Sequence, residues 1–535
     1  MPTGSLRDLD RPQRLTLVAA TLLGAAIRIA YQDGRPFTGD EAGTLLCIAH
    51  DYGYLLTHFD TWLSMNAYLV MTKALAAASG QNPWVMVAPS LVAGVAAIPV
   101  TAAVGVRLAT PRTATIAAVL VAANPFLVFY GVQLRSYMAF TTACLVALVC
   151  FLDWRDRGRR GAGVGGAIAM LLAALLHANA LYFAAFLGVL FLRWLAATPA
   201  GTARRRAAAA LLVPGTVAAA LAVAAYLPVL APQRRDAAFW SDVPPTSVAY
   251  VPYVAGMWFG RGFLMLPSVA LLAWGTWTAA HRRPGLAALA LAVVVPMALA
   301  SFAGVSHYPW AFGRFFVFAL PLVLLLLAEG VGAVAGRSTA AVAVVVALVL
   351  ATWTPDARAL FAAKRDRPWR TIARFLRGHL RPADLLLASD TAEVFPALNL
   401  GVYLGERAAA FRPVADFLAP AEAARPGRIV FVEPWEPLAT TRPRRRFGTV
   451  QVVTYAAPTR AAAAAALLAD LEARLGDRVG DALAGDWRVV LDVRAALGRP
   501  DADGGVTQRY YESLMRTRRQ RYMPRQFLGL SRDRP

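Results

Sequence analysis

The sequence is poor in several features that mark common protein classes. It has only three cysteines, Cys47, Cys144 and Cys150, whose spacing provides neither a disulfide framework nor a metal site. Walker A, HExxH and nucleophile-elbow motifs are missing, so hydrolysis and nucleotide-driven transport have no support. Acidic residues are scarce, with 32 Asp and Glu against 54 Lys and Arg. The net charge of +22 suggests nucleic-acid binding. However, no basic stripe with interleaved aromatic residues is present, so we expect no nucleic-acid partner.

Apolar residues, in contrast, are abundant. They make up 58% of the chain, and the mean hydropathy is +0.49. They are concentrated in repeated apolar runs that are long enough to cross a membrane as helices. These runs predict a polytopic α-helical membrane protein with eleven spans. No small-x-small cleavage site follows the first run and ten more spans come after it, so we expect an uncleaved first helix rather than a signal peptide. The predicted spans are residues 15–31, 84–106, 114–130, 136–152, 162–179, 181–196, 208–230, 263–280, 286–304, 311–335 and 338–353.

Charged loops predict the orientation of these spans. The strongly basic short loops all lie on one side if the N-terminus is cytoplasmic, as the positive-inside rule requires. Residues 60–79 are apolar but interrupted by polar groups, and we expect them to form a surface helix on the outer leaflet. If they spanned the membrane, the charge bias would invert. The protein is therefore predicted to be a multi-pass membrane protein with a cytoplasmic N-terminus.

The composition changes after Thr354. Residues 355–535 alternate charged helices with short apolar strands, such as those at 385–387 and 428–432. Residues 461–468 are expected to be helical. We predict a membrane domain over 1–354 and an α/β domain over 355–535, which the odd span count places outside the cytoplasm.

Two charged features on the predicted outer face could carry chemistry. Gly39-Asp40-Glu41 follows the first span, where the two carboxylates could cap a helix or transfer protons. Arg135 lies between two spans with no basic neighbour. It could snorkel to lipid headgroups or bind the phosphate of a polyprenyl lipid, because a guanidinium matches phosphate oxygens.

Further candidates lie on the same face. His307 and Tyr308 fit an interfacial aromatic belt, and Arg314 lies a few residues inside a span, where a charge needs a site or an acidic partner. His177 and Asn179 lie at another outer turn, where a histidine can be structural or part of a site.

Taken in order, several motifs resemble bacterial members of the GT-C membrane glycosyltransferases. The resemblance is to the protein-mannosyltransferase-like branch, which includes the aminoarabinose transferases of lipid A. Two positions depart from the family pattern: residues 64–67 lack its His-Pro-Pro, and Phe315 replaces its usual Tyr. The motifs are the first span with Gly39-Asp40-Glu41, residues 68–73, residues 89–94, Asn124-Pro125 through Arg135-Ser136-Tyr137, Gly313-Arg314-Phe315 through Pro321, and Pro368-Trp369-Arg370 followed by Asp384.

The resemblance implies a GT-C fold and a sugar donor carried on a polyprenyl phosphate. It makes Asp40 the general base that takes the proton from an acceptor hydroxyl, with inversion at the anomeric carbon. Glu41 would assist by hydrogen bonding to sugar or acceptor, or with Asp40 by holding a divalent cation. Arg135 would neutralise the departing phosphate.

Other residues would complete the pocket. Tyr137 and Arg314 would support Arg135 at the donor phosphate, while Tyr68, His177, His307 and Tyr308 would line the substrate pocket. The expected partners are the lipid-linked sugar, the membrane lipid and an acceptor glycan, lipid or protein.

Two alternatives remain at this point. A lipid or glycan transporter would be expected to carry ionisable residues within its spans or inverted repeats, and we see neither in the sequence. A non-catalytic scaffold that binds envelope glycan would not need Asp40.

Overall fold

The protein is represented by a computed structural model. The four described strands all follow residue 384. The described residues are 4–35, 37–57, 66–177, 179–199, 201–202, 205, 208, 250–283, 285–288, 316–366, 368–390, 396–434, 440–479, 483–499, 501 and 504–521.

The described residues up to residue 366 are mainly helical. Numbered in chain order, the helices described there are α1 (Arg11–Gln32), α2 (Gly39–Ala49), α3 (Tyr52–Thr57), α4 (Asn66–Ser79), α5 (Pro83–Leu108), α6 (Pro111–Ala123), α7 (Pro125–Tyr130), α8 (Tyr137–Arg157), α9 (Arg160–Leu176), α10 (Ala180–Ala197), α11 (Tyr250–Phe259), α12 (Leu266–Arg282), α13 (Leu320–Ala335) and α14 (Thr339–Asp366).

The predicted spans agree well with these helices. Six helical segments among the described residues are long and apolar enough to cross a membrane: α1, α5, α8, α12 and α13 (the last two with short 3₁₀ turns before them), and α14 up to residue 362. The helices α6, α9 and α10 are shorter but apolar. Most of the predicted spans 208–230 and 286–304 lies outside the described residues. The predicted surface segment does contain a helix, α4, and its place on the outer leaflet stays a prediction.

One predicted span is broken into two helices. The sequence predicts a single span over 114–130, but α6 ends at Ala123 and α7 starts at Pro125. Proline cannot donate the backbone hydrogen bond that would continue α6. The side chain of Asn124 then caps α7 by accepting from the backbone N–H of Leu127 at 3.1 Å. This break directs the chain toward the 131–136 segment.

Glycines allow α12 and α13 to cross closely. A Cβ atom on Gly275 would lie 1.9 Å from the carbonyl oxygen of Leu326, and one on Gly330 would lie 2.0 Å from that of Leu271. Small residues at such crossings let two backbones approach, which is how helices associate where water does not drive their packing.

Ionisable residues lie within the spanning helices, whereas the sequence indicated none there. Arg28 of α1 is fully buried, and Glu329 of α13 is 9% exposed. The carboxylate of Glu329 accepts from the hydroxyl of Thr113 at 2.7 Å. The Arg28 guanidinium donates to the carbonyl oxygens of Gly24, Val121, Ala122 and Leu127. Because both groups have protein partners, they serve the packing of α1, α6 and α13.

Residues 161–166 match the pattern GxGxxG, yet they lie within α9. The dinucleotide-binding version of that pattern lies at a turn between a strand and a helix. The match therefore reflects helix packing in a glycine-rich segment.

The C-terminal region contains a four-stranded sheet flanked by helices. Its strands are β1 (Leu385–Ala388), β2 (Gly427–Glu433), β3 (Arg444–Phe447) and β4 (Val450–Ala457). The order is β1-β2-β4-β3, with β1 and β2 parallel and the other pairs antiparallel. Its helices are α15 (Trp369–His379), α16 (Pro396–Leu404), α17 (Val414–Phe417), α18 (Pro420–Ala423), α19 (Arg460–Leu475), α20 (Ala484–Ala496) and α21 (Gly505–Arg521).

Alternating side chains on β2 face two separate cores. Ile429 and Phe431 pack with α19 and α20 on one face of the sheet, whereas Val430 and Val432 pack with α15 and α16 on the other. This period of two is that of a strand buried on both faces. The predicted α/β architecture is confirmed, including both predicted strands and the helix over 461–468. Helix α14 continues through Thr354 and leads into this region.

Candidate active site

The carboxylate of Glu41 is the centre of a buried hydrogen-bond network. Its side chain is fully buried in the first turn of α2. Oε1 accepts from Nη2 of Arg35 at 2.5 Å and from the backbone N–H of Leu134 at 2.6 Å. Oε2 accepts from Nη1 of Arg35 at 2.7 Å and from the backbone N–H of Thr38 at 2.9 Å. A carboxylate offers about four acceptor positions, so these contacts use the full capacity of Glu41.

The network joins two distant parts of the chain. Besides the fork to Glu41, Arg35 donates to the side-chain oxygen of Gln32 at 2.8 Å and to the backbone carbonyl of Val132. Burial opposes the charged form of Arg35, but the adjacent Glu41 carboxylate outweighs it and raises the pKa of the guanidinium. The loop after α1 is thereby fixed against the 131–136 segment.

Asp40 lies beside Glu41 in the first turn of α2. The structure describes Asp40 through its backbone alone. Helix α2 starts at Gly39 and its N-cap is Thr38, so the expected cap at Gly39-Asp40 lies one residue earlier. Because the first turn has unpaired backbone N–H groups, it favours acidic residues.

Arg135 reaches the same helix from the 131–136 segment. Its side chain is 7% exposed, and Nη1 donates to the hydroxyl of Thr44 at 3.3 Å. The guanidinium carbon lies 5.9 Å from the ring centre of Tyr137, within cation–π range. Within the described part of the chain, the buried Nε of Arg135 has no hydrogen-bond partner. This arginine therefore keeps donor capacity that the described residues do not use.

Tyr68 contacts the backbone of Arg135 through Ser90. Its side chain is fully buried, and its hydroxyl lies 3.0 Å from Oγ of Ser90. Ser90 in turn donates to the carbonyl oxygen of Arg135 at 2.8 Å. Burial raises the pKa of the Tyr68 phenol. Through Ser90, Tyr68 thus supports the 131–136 segment, and its place in the substrate pocket stays a prediction.

His177 contacts the predicted donor side of the site. Its ring lies 5.5 Å from that of Tyr137 and stacks on Phe140 at 5.1 Å. The backbone N–H of Asn179 donates to Nδ1 of His177 at 3.1 Å. The structure therefore connects Arg135, Tyr137 and His177 in one row.

Three predicted residues, His307, Tyr308 and Arg314, lie outside the described residues. Among the residues that are described, no three His, Cys, Asp or Glu side chains come close enough to form a metal site. Since Glu41 already accepts from protein donors through both oxygens, it does not fit the cation-ligand role that the sequence suggested.

Sequence reasoning missed several residues that build this site. These are Arg35, Thr38, Thr44 and Ser90. Arg35 could have been found by the same reasoning that selected Arg135, since it is also an arginine in a predicted outer loop. The other three carry no such signal because short hydroxyl side chains occur throughout the chain.

Comparison with known proteins gives structural matches at low sequence identity. No family model and no curated protein matches the sequence. The crystal structure of ArnT from Cupriavidus metallidurans bound to undecaprenyl phosphate matches with a TM-score of 0.50 at 15% identity, covering 82% of this chain and 97% of that one. The apo structure of the same protein has a TM-score of 0.49 at 16% identity, with the same coverage.

An archaeal protein gives a weaker match. The oligosaccharyltransferase AglB from Archaeoglobus fulgidus, in complex with an inhibitory peptide and a dolichol phosphate, has a TM-score of 0.43 at 12% identity, covering 78% of this chain and 69% of that one. The match to the lipid-bound ArnT shows the fold. The chain has the GT-C fold, in the form seen in ArnT, as the motifs predicted.

Proposed function

We propose that this chain is an integral-membrane glycosyltransferase. It moves a sugar from a polyprenyl phosphate to an acceptor hydroxyl, with inversion at the anomeric carbon. The lipid-bound ArnT of the same fold supports the choice of donor, because its ligand is undecaprenyl phosphate. The acceptor is a glycan, lipid or protein of the cell envelope.

One observation carries this proposal. The helix that bears Asp40 and the segment that bears Arg135 are joined through the Glu41–Leu134 and Arg135–Thr44 hydrogen bonds. The segments that carry these two residues are thus held together, and Arg135 has donor capacity that the described residues do not use. Transfer from a lipid phosphate needs this pair, because one group must accept a proton while the other stabilises a leaving anion.

The reaction follows from these two roles. Asp40 accepts the proton of the acceptor hydroxyl as its oxygen attacks the anomeric carbon. The bond between that carbon and the phosphate oxygen breaks, and the electron pair leaves with the polyprenyl phosphate. Arg135 donates hydrogen bonds to the phosphate as its charge grows. Tyr137 and His177 border the donor side, and no step is assigned to a metal ion.

We place this site on the outer face of the bacterial inner membrane, with the N-terminus cytoplasmic. The charge bias of the loops supports this orientation. An outer-face site also fits a lipid-linked sugar donor, because such a donor needs no nucleotide-binding motif at the site.

Replacement of Asp40 by asparagine tests the function directly. Mass spectrometry of envelope glycans from a deletion strain first identifies the missing sugar. Turnover is then measured with undecaprenyl phosphate carrying that sugar. Asp40→Asn should lower turnover by roughly 10²- to 10⁴-fold, because it removes a general base.

Asp51→Asn is the matched control. Asp51 is an exposed carboxylate that caps the nearby helix α3 through the N–H of Tyr54, and its removal should leave turnover unchanged. Wild-type turnover by Asp40→Asn would contradict the assigned base. Unaltered glycans in the deletion strain, together with no transfer by the wild-type protein, would overturn the function.

A further inference from the structure

Asn399 of the C-terminal region holds the loop that precedes Asp40. The backbone N–H of Phe37 donates to its Oδ1 at 2.7 Å, and its Nδ2 donates to the carbonyl oxygen of Phe37 at 3.2 Å. Asn399 is fully buried and Phe37 is 3% exposed. A side-chain amide offers one acceptor and two donors, so it can pair with both polar groups of a single backbone residue.

Two other contacts lie near this pairing, one between α14 and α1 and one between the C-terminal region and the loop. Nζ of Lys364 donates to the carbonyl oxygen of Ala30 at 2.7 Å, and Arg370 forms a 3.1 Å ion pair with Asp33. The Arg370–Asp33 pair is exposed, so it contributes little to stability. The Asn399 pairing is buried, and an unpaired buried N–H or C=O is costly. Of these described contacts, the Asn399 pairing therefore holds the loop more firmly than the exposed Arg370–Asp33 pair does.

Apolar packing supports this arrangement. Phe37 belongs to a buried cluster with Tyr31, Val132 and Leu134, and Val402 of α16 packs against that cluster. One core thus contains the loop after α1, the segment that bears Arg135 and a helix of the C-terminal region.

We infer that Asn399 is a positioning residue for sugar transfer, and that the C-terminal α/β region belongs to the catalytic unit through it. This inference rests on the proposed function. Only Thr38 and Gly39 separate Phe37 from Asp40, so the position of the Phe37 backbone sets where α2 begins. A displacement of about 1 Å at a reacting group can lower the rate by about 100-fold.

Substitutions of Asn399 test the inference against simple loss of stability. Asn399→Ala should lower kcat on the order of 10- to 100-fold, with little change in KM for the undecaprenyl-phosphate-linked sugar. Leu400→Ala is the matched control. Leu400 is the next residue of α16, is fully buried in the core against β2 and β4, and belongs to a different cluster from Phe37. This variant should destabilise the region more than Asn399→Ala while retaining kcat.

A second variant gives a readout that loss of stability would not produce. In Asn399→Asp the introduced carboxylate can accept from Phe37 N–H but repels Phe37 C=O. When protonated, it can pair with both groups as the amide does. Turnover of Asn399→Asp relative to wild type should therefore rise as pH falls from about 8 to 5, because burial raises the pKa of a carboxyl group.

Among the described residues, charged and titratable groups surround this contact on several elements. Helix α1 contributes Tyr31, the loop after it Asp33 and Arg35, α2 Glu41, and the C-terminal region Arg370 and Tyr403. All are present in wild type and in both variants. The ratio of turnovers cancels their own titration, and Asn399→Ala should show a flat ratio.

Hydrogen–deuterium exchange separates this inference from the proposed function. The peptide covering residues 32–38 should exchange faster in Asn399→Ala than in wild type, whether or not transfer occurs. Unchanged exchange of that peptide would overturn the inference. A kcat loss in Leu400→Ala equal to that in Asn399→Ala, or a flat pH ratio for Asn399→Asp, would also overturn it. An absence of transfer by wild type with faster exchange in Asn399→Ala would reject the function alone.

Discussion

The loop after α1 and the 131–136 segment each bury an arginine, and the two are partnered very differently. Arg35 is 2% exposed and Arg135 is 7% exposed. Arg35 forms a fork with Glu41 and also donates to Gln32 and Val132. Within the described residues, the side chain of Arg135 donates one hydrogen bond, to Thr44, lies near the ring of Tyr137, and has no partner for its Nε.

This difference assigns the two arginines to different tasks. Removing a charge from water is costly unless hydrogen bonds replace those to water. Arg35 meets that condition within the protein, so its task is to hold two segments together. Arg135 does not, so a bound anion would improve its environment. An anionic ligand such as a lipid phosphate supplies the missing acceptors.

The largest effect is expected from breaking the partnered pair. Glu41→Gln leaves Arg35 buried without a counter-charge, and loss of one member of a buried pair costs about 3–5 kcal/mol. Thermal unfolding in detergent should show a large drop in Tm. Turnover should also fall, because the backbone N–H of Leu134 loses its charged hydrogen-bond acceptor.

A double variant sharpens this result. Adding Arg35→Met to Glu41→Gln removes the unpaired charge and should recover part of the lost stability. Turnover should stay low, since the two segments are no longer joined. If Glu41→Gln kept wild-type Tm, the pair would not be the structural centre of the site.

The next effect concerns Arg135. Arg135→Met should lower turnover by roughly 10²- to 10³-fold, as expected when a group that stabilises a developing anion is removed. Its Tm should be equal to or higher than that of wild type, because an incompletely partnered buried charge is removed. Arg135→Lys keeps the charge but not the two-pronged donor geometry, and should be intermediate in turnover. A fall in Tm as large as that of Glu41→Gln would show that Arg135 has a structural role like that of Arg35, and would contradict the proposed difference between the two arginines.

The sequence predicts the fold well because two signals are strong. Among the described residues, predicted apolar spans match α1, α5, α6, α8, α9, α10, α12, α13 and α14, and short apolar runs match β1 and β2. The break between α6 and α7 was missed because hydropathy stays high across Asn124-Pro125. Hydropathy averaged over many residues does not register the local effect of one proline on a helix.

The site was predictable in part. Asp40, Glu41 and Arg135 stand out by charge and position, but the partners of Glu41 depend on packing. Leu134 contributes a backbone N–H, which leaves no trace in a sequence. Asn399 lies 362 residues from Phe37, and a single asparagine in a helix carries no signal for such a contact. A single sequence shows which residues carry charge, but not which of them have hydrogen-bond or ion-pair partners in the fold.

The smallest effect comes from a partly buried acid, Asp390, which extends the comparison to the C-terminal region. Asp390 accepts from the backbone N–H of Ala397 at 3.0 Å, in contrast to the several donors around Glu41. Burial raises the pKa of Asp390 to about 6, although the hydrogen bond from Ala397 acts in the opposite direction. Its unfolded value is about 3.9, so ionisation costs stability as pH rises from about 4 to 6 and beyond. Lowering the pH from about 7 to 5 should therefore stabilise the region by about 1 kcal/mol through this group. Asp390→Asn should remove that part of the pH dependence of Tm, and an unchanged pH profile would show that Asp390 is better partnered than its contacts indicate.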